Sequence, residues 1–87
     1  MSSVEFQVTV FQGNKTSVNT VGGFRWEGDA EGFRMLLESS LVDCVESGLF
    51  TSFHLGPVQR VDGGIVDDDT SEETVGSVVH QLIESVR

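Results

Sequence analysis

The chain has 87 residues, of which fourteen are Asp or Glu and five are Lys or Arg, so its formal net charge is −9. This length predicts a single domain spanning residues 1–87, and the negative field argues against direct binding of nucleic acid or of anionic membranes. One cysteine cannot form an internal disulfide, and the N-terminus lacks the basic start and apolar centre of a signal peptide, so we expect a cytoplasmic protein.

The N-terminal part of the chain predicts a β-hairpin. Residues 4–10 alternate apolar and polar side chains, as in a strand with one buried face. Residues 13–16 are turn formers, and residues 17–26 are the expected return strand. The Gly22-Gly23 pair in that strand indicates a β-bulge or a close approach of two backbones, because glycine otherwise weakens a strand.

Two aromatic residues, Phe24 and Trp26, end this hairpin on either side of Arg25. One interpretation is an exposed aromatic patch at the strand end. We expect instead that both rings close the core, because a domain of this size needs its large side chains inside.

A helix is predicted from Asp29 to the Ser47-Gly48 pair. Asp29 is its expected N-cap, and Gly48 is expected to end it, because glycine adopts the left-handed conformation without a steric penalty. Glu31, Glu38 and Glu46 are expected on its outer side. The apolar stripe expected to face the core consists of Phe33, Leu36, Leu37, Leu41, Cys44, Val45 and Gly48.

The C-terminal half predicts further strands and a second helix. Residues 49–55 alternate again, with Leu49, Thr51, Phe53 and Leu55 on one side, and Gly56-Pro57 interrupts them. Residues 58–61 and 65–66 predict a shorter hairpin around the turn Asp62-Gly63-Gly64. Thr70 and Glu73 form a capping box for the last helix. Its apolar stripe consists of Val75, Val78, Val79, Leu82, Ile83 and Val86.

The predicted order is β-β-α-β-β-α, an α+β fold in which an antiparallel sheet carries both helices on one face. The sheet is the only large apolar partner for the two helix stripes. A shift of 41 residues superposes Gly22-Gly23 on Gly63-Gly64 and Leu41 on Leu82. This raises the hypothesis of a weak internal ββα duplication.

The acidic residues are concentrated toward the C-terminus, where residues 61–87 hold seven acids and one base, a local charge of −6. The run 67–73 could bind Ca²⁺ or Mg²⁺, cap the following helix, or meet a basic protein. It lacks the ligand spacing of an EF-hand loop, so we expect no metal site. The expected partner-binding patch consists of Asp62, Asp67, Asp68, Asp69, Glu72 and Glu73.

No residue pattern predicts catalysis or a cofactor. His54 and His80 are far apart in sequence, and neither has a second ligand at metal spacing. Cys44 lies on the apolar helix stripe beside Asp43, whereas a nucleophilic cysteine needs an electropositive setting. The sequence contains no nucleophile elbow and no phosphate-binding loop.

The expected function is therefore that of a non-catalytic binding module with a basic protein partner. An inhibitor or immunity-type protein whose negative surface occupies a basic groove of a nucleic-acid-handling protein would have this charge. The alternative is a globular domain of a halophilic organism, in which acidity keeps the surface hydrated in strong salt. A homodimer is compatible with either hypothesis.

Overall fold

The computed structural model describes residues 3–61 and 75–87. Within these ranges the predicted order β-β-α-β-β-α, the α+β class and the antiparallel sheet are confirmed. The elements are β1 (Ser3–Gln12), β2 (Lys15–Phe24), α1 (Glu27–Glu46), β3 (Ser52–Leu55), β4 (Gln59–Val61) and α2 (Val75–Ser85).

The sheet is organised around β1, which is the strand with the most buried side chains. Val4, Phe6, Val8 and Val10 are all buried on its inner face, as the alternation predicts. β2 pairs with one edge of β1, while β3 and β4 share the other edge. Because β1 pairs with each of the other described strands, it positions the sheet that they form.

The first hairpin turns more tightly than predicted. Gln12 pairs with Lys15, so the turn contains only Gly13 and Asn14. Gly13 has a φ of 61°. A positive φ at the first turn position alone is the pattern of a type II′ turn, which matches the twist of the flanking strands.

The bulge predicted at the Gly22-Gly23 pair is confirmed. Phe6 pairs with Val21 and Val4 with Phe24, so β2 has one more residue than β1 across this interval. Gly23 has a φ of 89°, which favours glycine at this position.

β3 and β4 together resemble one interrupted strand on β1. β3 lies opposite Val8–Phe11 and β4 opposite Ser3–Glu5. Between them the Gly56 N–H donates a hydrogen bond of 2.8 Å to the carbonyl of Gln7, and Pro57, which has no N–H, cannot continue the ladder. The segment predicted to open a second hairpin therefore pairs with β1.

The turn and the return strand of that predicted hairpin lie in residues 62–74, outside the described ranges. The capping box of Thr70 and Glu73 lies there too. The duplication hypothesis depends on Gly63-Gly64 and stays a hypothesis. Leu41 and Leu82, which the 41-residue shift superposes, are both buried.

α1 begins three residues earlier than predicted, and the prediction of Asp29 as its N-cap is wrong. Trp26 is the N-cap, in an extended conformation, and its carbonyl accepts a hydrogen bond of 3.2 Å from the Ala30 N–H. Asp29 lies instead within the first turn, together with Glu27, where the helix dipole favours negative charge.

The predicted end of α1 at Gly48 is confirmed. Gly48 has a φ of 83°, its N–H donates to the Val45 carbonyl, and the Leu49 N–H donates to the Cys44 carbonyl at 2.9 Å. These two bonds form a Schellman motif, which satisfies carbonyls that the helix end would otherwise leave without partners.

The two helices contribute to one core in different ways. α1 packs across β1, β2 and β3, whereas α2 packs mainly against α1 and contacts the sheet at β2. Neither described helix combines the length and the apolar content that a membrane crossing requires. The buried core cluster consists of Phe6, Val8, Val10, Val21, Leu37, Leu41, Cys44, Phe50, Leu55, Val78, Leu82 and Val86.

Trp26 does not occupy its expected buried position, and Leu49 does not belong to the strand in which it was predicted. Trp26 is 70% exposed, and the rings that close the core beside it are Phe6, Phe24 and Phe33, whose centroids lie 5.4–6.5 Å apart. Leu49 is exposed and Phe50 is buried. The strand alternation does not extend back to Leu49, because residues 49–51 follow the helix end and β3 starts only at residue 52.

Candidate protein-interaction surface

The acidic patch predicted from the sequence lies outside the described residues. Its members, Asp62, Asp67, Asp68, Asp69, Glu72 and Glu73, all belong to the segment between β4 and α2. Their role in partner binding stays a prediction.

The structure places a second acidic surface on α1. This helix carries six acidic residues and one basic residue, Arg34. The Arg34 side chain is half-buried and turns toward the sheet, where it donates to the carbonyls of Leu55 and Gly56. Near the start of the helix Glu27 accepts a hydrogen bond of 2.6 Å from Arg60. The acidic residues of α1 are Glu27, Asp29, Glu31, Glu38, Asp43 and Glu46.

Large apolar side chains lie exposed among these carboxylates. Met35 is 70% exposed, Leu36 63% and Val42 42%. At about 100° per residue, positions 35, 39 and 42 fall on one face of the helix, opposite the buried residues Leu37 and Leu41. Exposed apolar side chains that recur on one face differ from the isolated ones that every protein surface has.

Two of these apolar side chains, Met35 and Val42, line a shallow depression. Met35, Ser39 and Val42 form its floor, and Glu38 and Asp43 contribute to its lining. The helical period places Glu38 and Asp43 on opposite sides of this floor. We call these five residues the α1 surface. An apolar centre with carboxylates on both sides can bury hydrophobic area against a partner and also fix its orientation by charge.

Sequence reasoning assigned an exposed neighbour of this surface to the core. Leu36 was expected on the buried stripe, and that expectation is wrong because residue 36 lies about a quarter turn from Leu37. Met35 and Val42 were not assigned to either side. The signal was present in the sequence, because their spacing of seven residues equals two helical turns.

Cys44, His54 and His80 are the other candidate groups that the sequence singled out. Burial, and secondarily the negative charge of Asp43, raises the pKa of the Cys44 thiol above its ordinary value, so the neutral thiol is the form present near neutral pH. His54 and His80 are both exposed, on β3 and α2 respectively. Among residues 3–61 and 75–87, no three His, Cys, Asp or Glu side chains are grouped as metal ligands would be.

The α1 surface is therefore the candidate site that combines exposed apolar side chains with carboxylates on the described part of the chain. Comparisons with protein-family models, with curated proteins and with solved structures find no match to this chain.

Proposed function

We propose that this chain is a small, non-catalytic acidic binding module, of the inhibitor or immunity type, that occupies a basic groove of a nucleic-acid-handling protein. The observation that carries the proposal is the exposure of Met35, Leu36 and Val42 among the carboxylates of α1. Negative charge on a phosphate-like surface gives attraction to such a groove, and apolar contact adds affinity that charge alone does not supply.

The apolar residues distinguish this proposal from the solubility hypothesis. A surface adapted only to strong salt is kept hydrated by its carboxylates, and exposed Met and Leu side chains work against that purpose. Methionine is enriched in the centres of protein interfaces, where its flexible side chain adapts to the partner. Glu5 and Glu84 belong to β1 and α2, and this spread of acid over other elements is what supports the halophilic alternative.

The acidic segment after β4 belongs to the same proposal. Its six carboxylates add most of the local negative charge and would extend the surface that faces the basic partner. In this proposal, charged side chains at the rim mainly accelerate association, while the α1 surface determines how long the complex lasts.

The test begins with affinity capture from extract of the source cells, followed by purification of the captured protein and calorimetric titration. The variant Glu38→Gln/Asp43→Asn removes both carboxylates from the depression. The matched control, Gln7→Lys/Gln59→Lys, raises the net charge by the same two units at exposed positions on the sheet. We expect the first variant to bind about tenfold more weakly and the control to bind nearly as well as the wild type.

Two further results decide between the hypotheses. A duplex oligonucleotide should compete with the chain for the captured protein, because both would occupy the same basic groove. If both charge variants lose affinity equally, only the net charge matters and the α1 surface is not the contact. If no basic protein is captured, the solubility hypothesis replaces the proposal.

A further inference from the structure

β2 lies at an edge of the sheet. Among the described strands it pairs only with β1. The tight turn makes Gln12 and Lys15 the closing pair of the ladder, and hydrogen-bonded and non-hydrogen-bonded pairs alternate from there. By this alternation Thr16, Val18 and Thr20 direct their N–H and C=O groups away from β1, so they form the outer edge of the sheet.

The two edges of the sheet are protected very differently. The β3–β4 edge consists of strands of four and three residues interrupted by Gly56 and Pro57, which is how many proteins prevent strands from other chains from pairing. β2 has ten residues, no proline, and no charged residue between Thr16 and Phe24. At its middle Val18 is 62% exposed. Such an edge is a template for another strand.

The charge distribution indicates which kind of chain supplies the strand that pairs with the β2 edge. α2, the helix that reaches the sheet at β2, carries a single acidic residue, Glu84, whose carboxylate accepts a hydrogen bond of 2.8 Å from Arg87. α1 carries six acidic residues. The flank formed by β2 and α2 is therefore close to neutral in the described part of a chain whose net charge is −9.

We propose that two copies of this chain pair through antiparallel β2 strands centred on Val18, forming one continuous sheet. Val18 then faces Val18 of the second copy, and Thr16 faces Thr20, which gives β-branched cross-strand neighbours and no opposed like charges. The register forms about six hydrogen bonds between the chains. A basic partner's strand is less suited to this edge, because no residue of β2 carries a carboxylate and the carboxylate beside it, that of Glu5, lies near Gly22 at the far end of the strand.

The dimer leaves the α1 surfaces free. The two-fold axis of an antiparallel strand pair stands perpendicular to the sheet, so the helices of both copies lie on the same side of it. The dimer does not depend on the proposed function. Dimerisation and binding to a basic partner should also respond oppositely to salt. Screening weakens attraction to a basic partner but reduces repulsion between two copies that each carry −9.

The experiment is sedimentation equilibrium of the purified chain over a range of concentrations, at low and at physiological salt. We expect a mass of twice the 9.5 kDa monomer, with the dimer favoured by the higher salt. Val18→Lys places two ammonium groups opposite each other at the two-fold axis and should halve that mass. Gln7→Lys adds the same charge at an exposed position of the central strand and should leave the dimer intact.

Circular dichroism of both variants confirms that they are folded, and hydrogen exchange locates the contact. The amides of Thr16, Val18 and Thr20 should become protected as the concentration rises. A wild-type chain that stays monomeric, or a Val18→Lys variant that dimerises, overturns the proposal. So does a monomer in which these three amides are already protected, because the edge is then covered from within one chain.

Discussion

Arg34 on α1 is tied to Gly56 on the sheet: its Nε donates a hydrogen bond of 2.9 Å to the Gly56 carbonyl, and its Nη2 donates to the Leu55 carbonyl at 3.2 Å. Both carbonyls lie where β3 ends and the edge strand is interrupted. The guanidinium thus holds the helix against the point of the sheet where the ladder with β1 is least regular. Its planar fork suits two adjacent acceptors.

Replacing Arg34 with Met should destabilise the fold by about 1–3 kcal/mol, because two half-buried carbonyls lose a charged donor. Arg34→Lys should recover only part of this loss, since an ammonium group cannot reproduce the fork. Urea unfolding measures both changes. Arg87→Met is the matched control, because the bond from Arg87 to Glu84 is exposed and contributes little. Equal losses of stability in Arg34→Met and Arg87→Met would contradict the bridging role of Arg34.

Replacing Gly32 in α1 and Gly48 at its C-terminal end with alanine should change the stability of the protein in opposite directions. Gly32 lies inside the helix with no heavy atom within 4 Å of an added Cβ, so Gly32→Ala should stabilise the protein by about 0.5–1 kcal/mol. Gly48 has an equally open surrounding but a φ of 83°, so Gly48→Ala should destabilise it by about 1 kcal/mol. Thermal unfolding of the two variants gives the comparison. A stabilising Gly48→Ala would show that the helix end is not held in the left-handed conformation.

Salt should stabilise the chain. With a net charge of −9 on a small domain, repulsion between carboxylates opposes the compact state at low ionic strength. We expect the melting temperature to rise substantially between roughly 0.01 M and 1 M NaCl, the range over which the Debye length falls from tens of ångströms to a few. A flat or falling curve would mean that the fold already compensates its charges. Repeating the scan at several protein concentrations separates this effect from dimerisation.

Cys44 should be slow to react in the native protein and fast in denaturant, because its thiol is buried. Its pKa is raised by burial and by Asp43, so the folded chain keeps the thiol proton at pH values where the unfolded chain loses it. Stability should therefore fall as the pH rises from the thiol's ordinary pKa toward the raised value.

The variant Cys44→Ser should cost about 1–2 kcal/mol, because a hydroxyl is buried in place of the thiol. It should also lose this alkaline component of unfolding. Rapid labelling of the native thiol, or an unchanged alkaline profile in the variant, would contradict the buried assignment.

Reversal of Asp67, Asp68 and Asp69 to Lys should abolish binding to the basic partner while the fold persists, as judged by circular dichroism. Glu72 and Glu73 should contribute less to binding and more to stability, because the sequence places them at the start of the last helix. A salt titration of the complex should show steep weakening in the wild type. If the triple reversal binds as tightly as the wild type, these carboxylates are not part of the contact.

Local features of the fold could be predicted because they depend on neighbouring residues. The alternation of residues 4–10, the bulge at Gly22-Gly23 and the helix end at Gly48 each follow from the conformational preferences of a few residues. The same reasoning failed for Asp29, since an aspartate in the first helical turn and an aspartate at the N-cap produce similar sequence patterns.

The candidate surface illustrates the limit of sequence reasoning. The charge of α1 could be counted from the sequence, but both sides of the helix carry apolar residues. Met35 and Leu37 differ in burial only because the sheet and α2 cover one side of the helix. Periodicity identifies residues that share a face, and it does not say which of two apolar faces is covered.

The sequence by itself determined the order of the elements, the α+β class and the excess of negative charge, because these depend on local conformation and composition. Only the tertiary structure decided that β4 pairs with β1, that Trp26 is exposed, and that β2 lies at an edge of the sheet formed by the described strands. These outcomes depend on contacts between residues far apart in the chain. Their free energies are set by the shape and packing of the whole domain, and no short stretch of sequence contains that information.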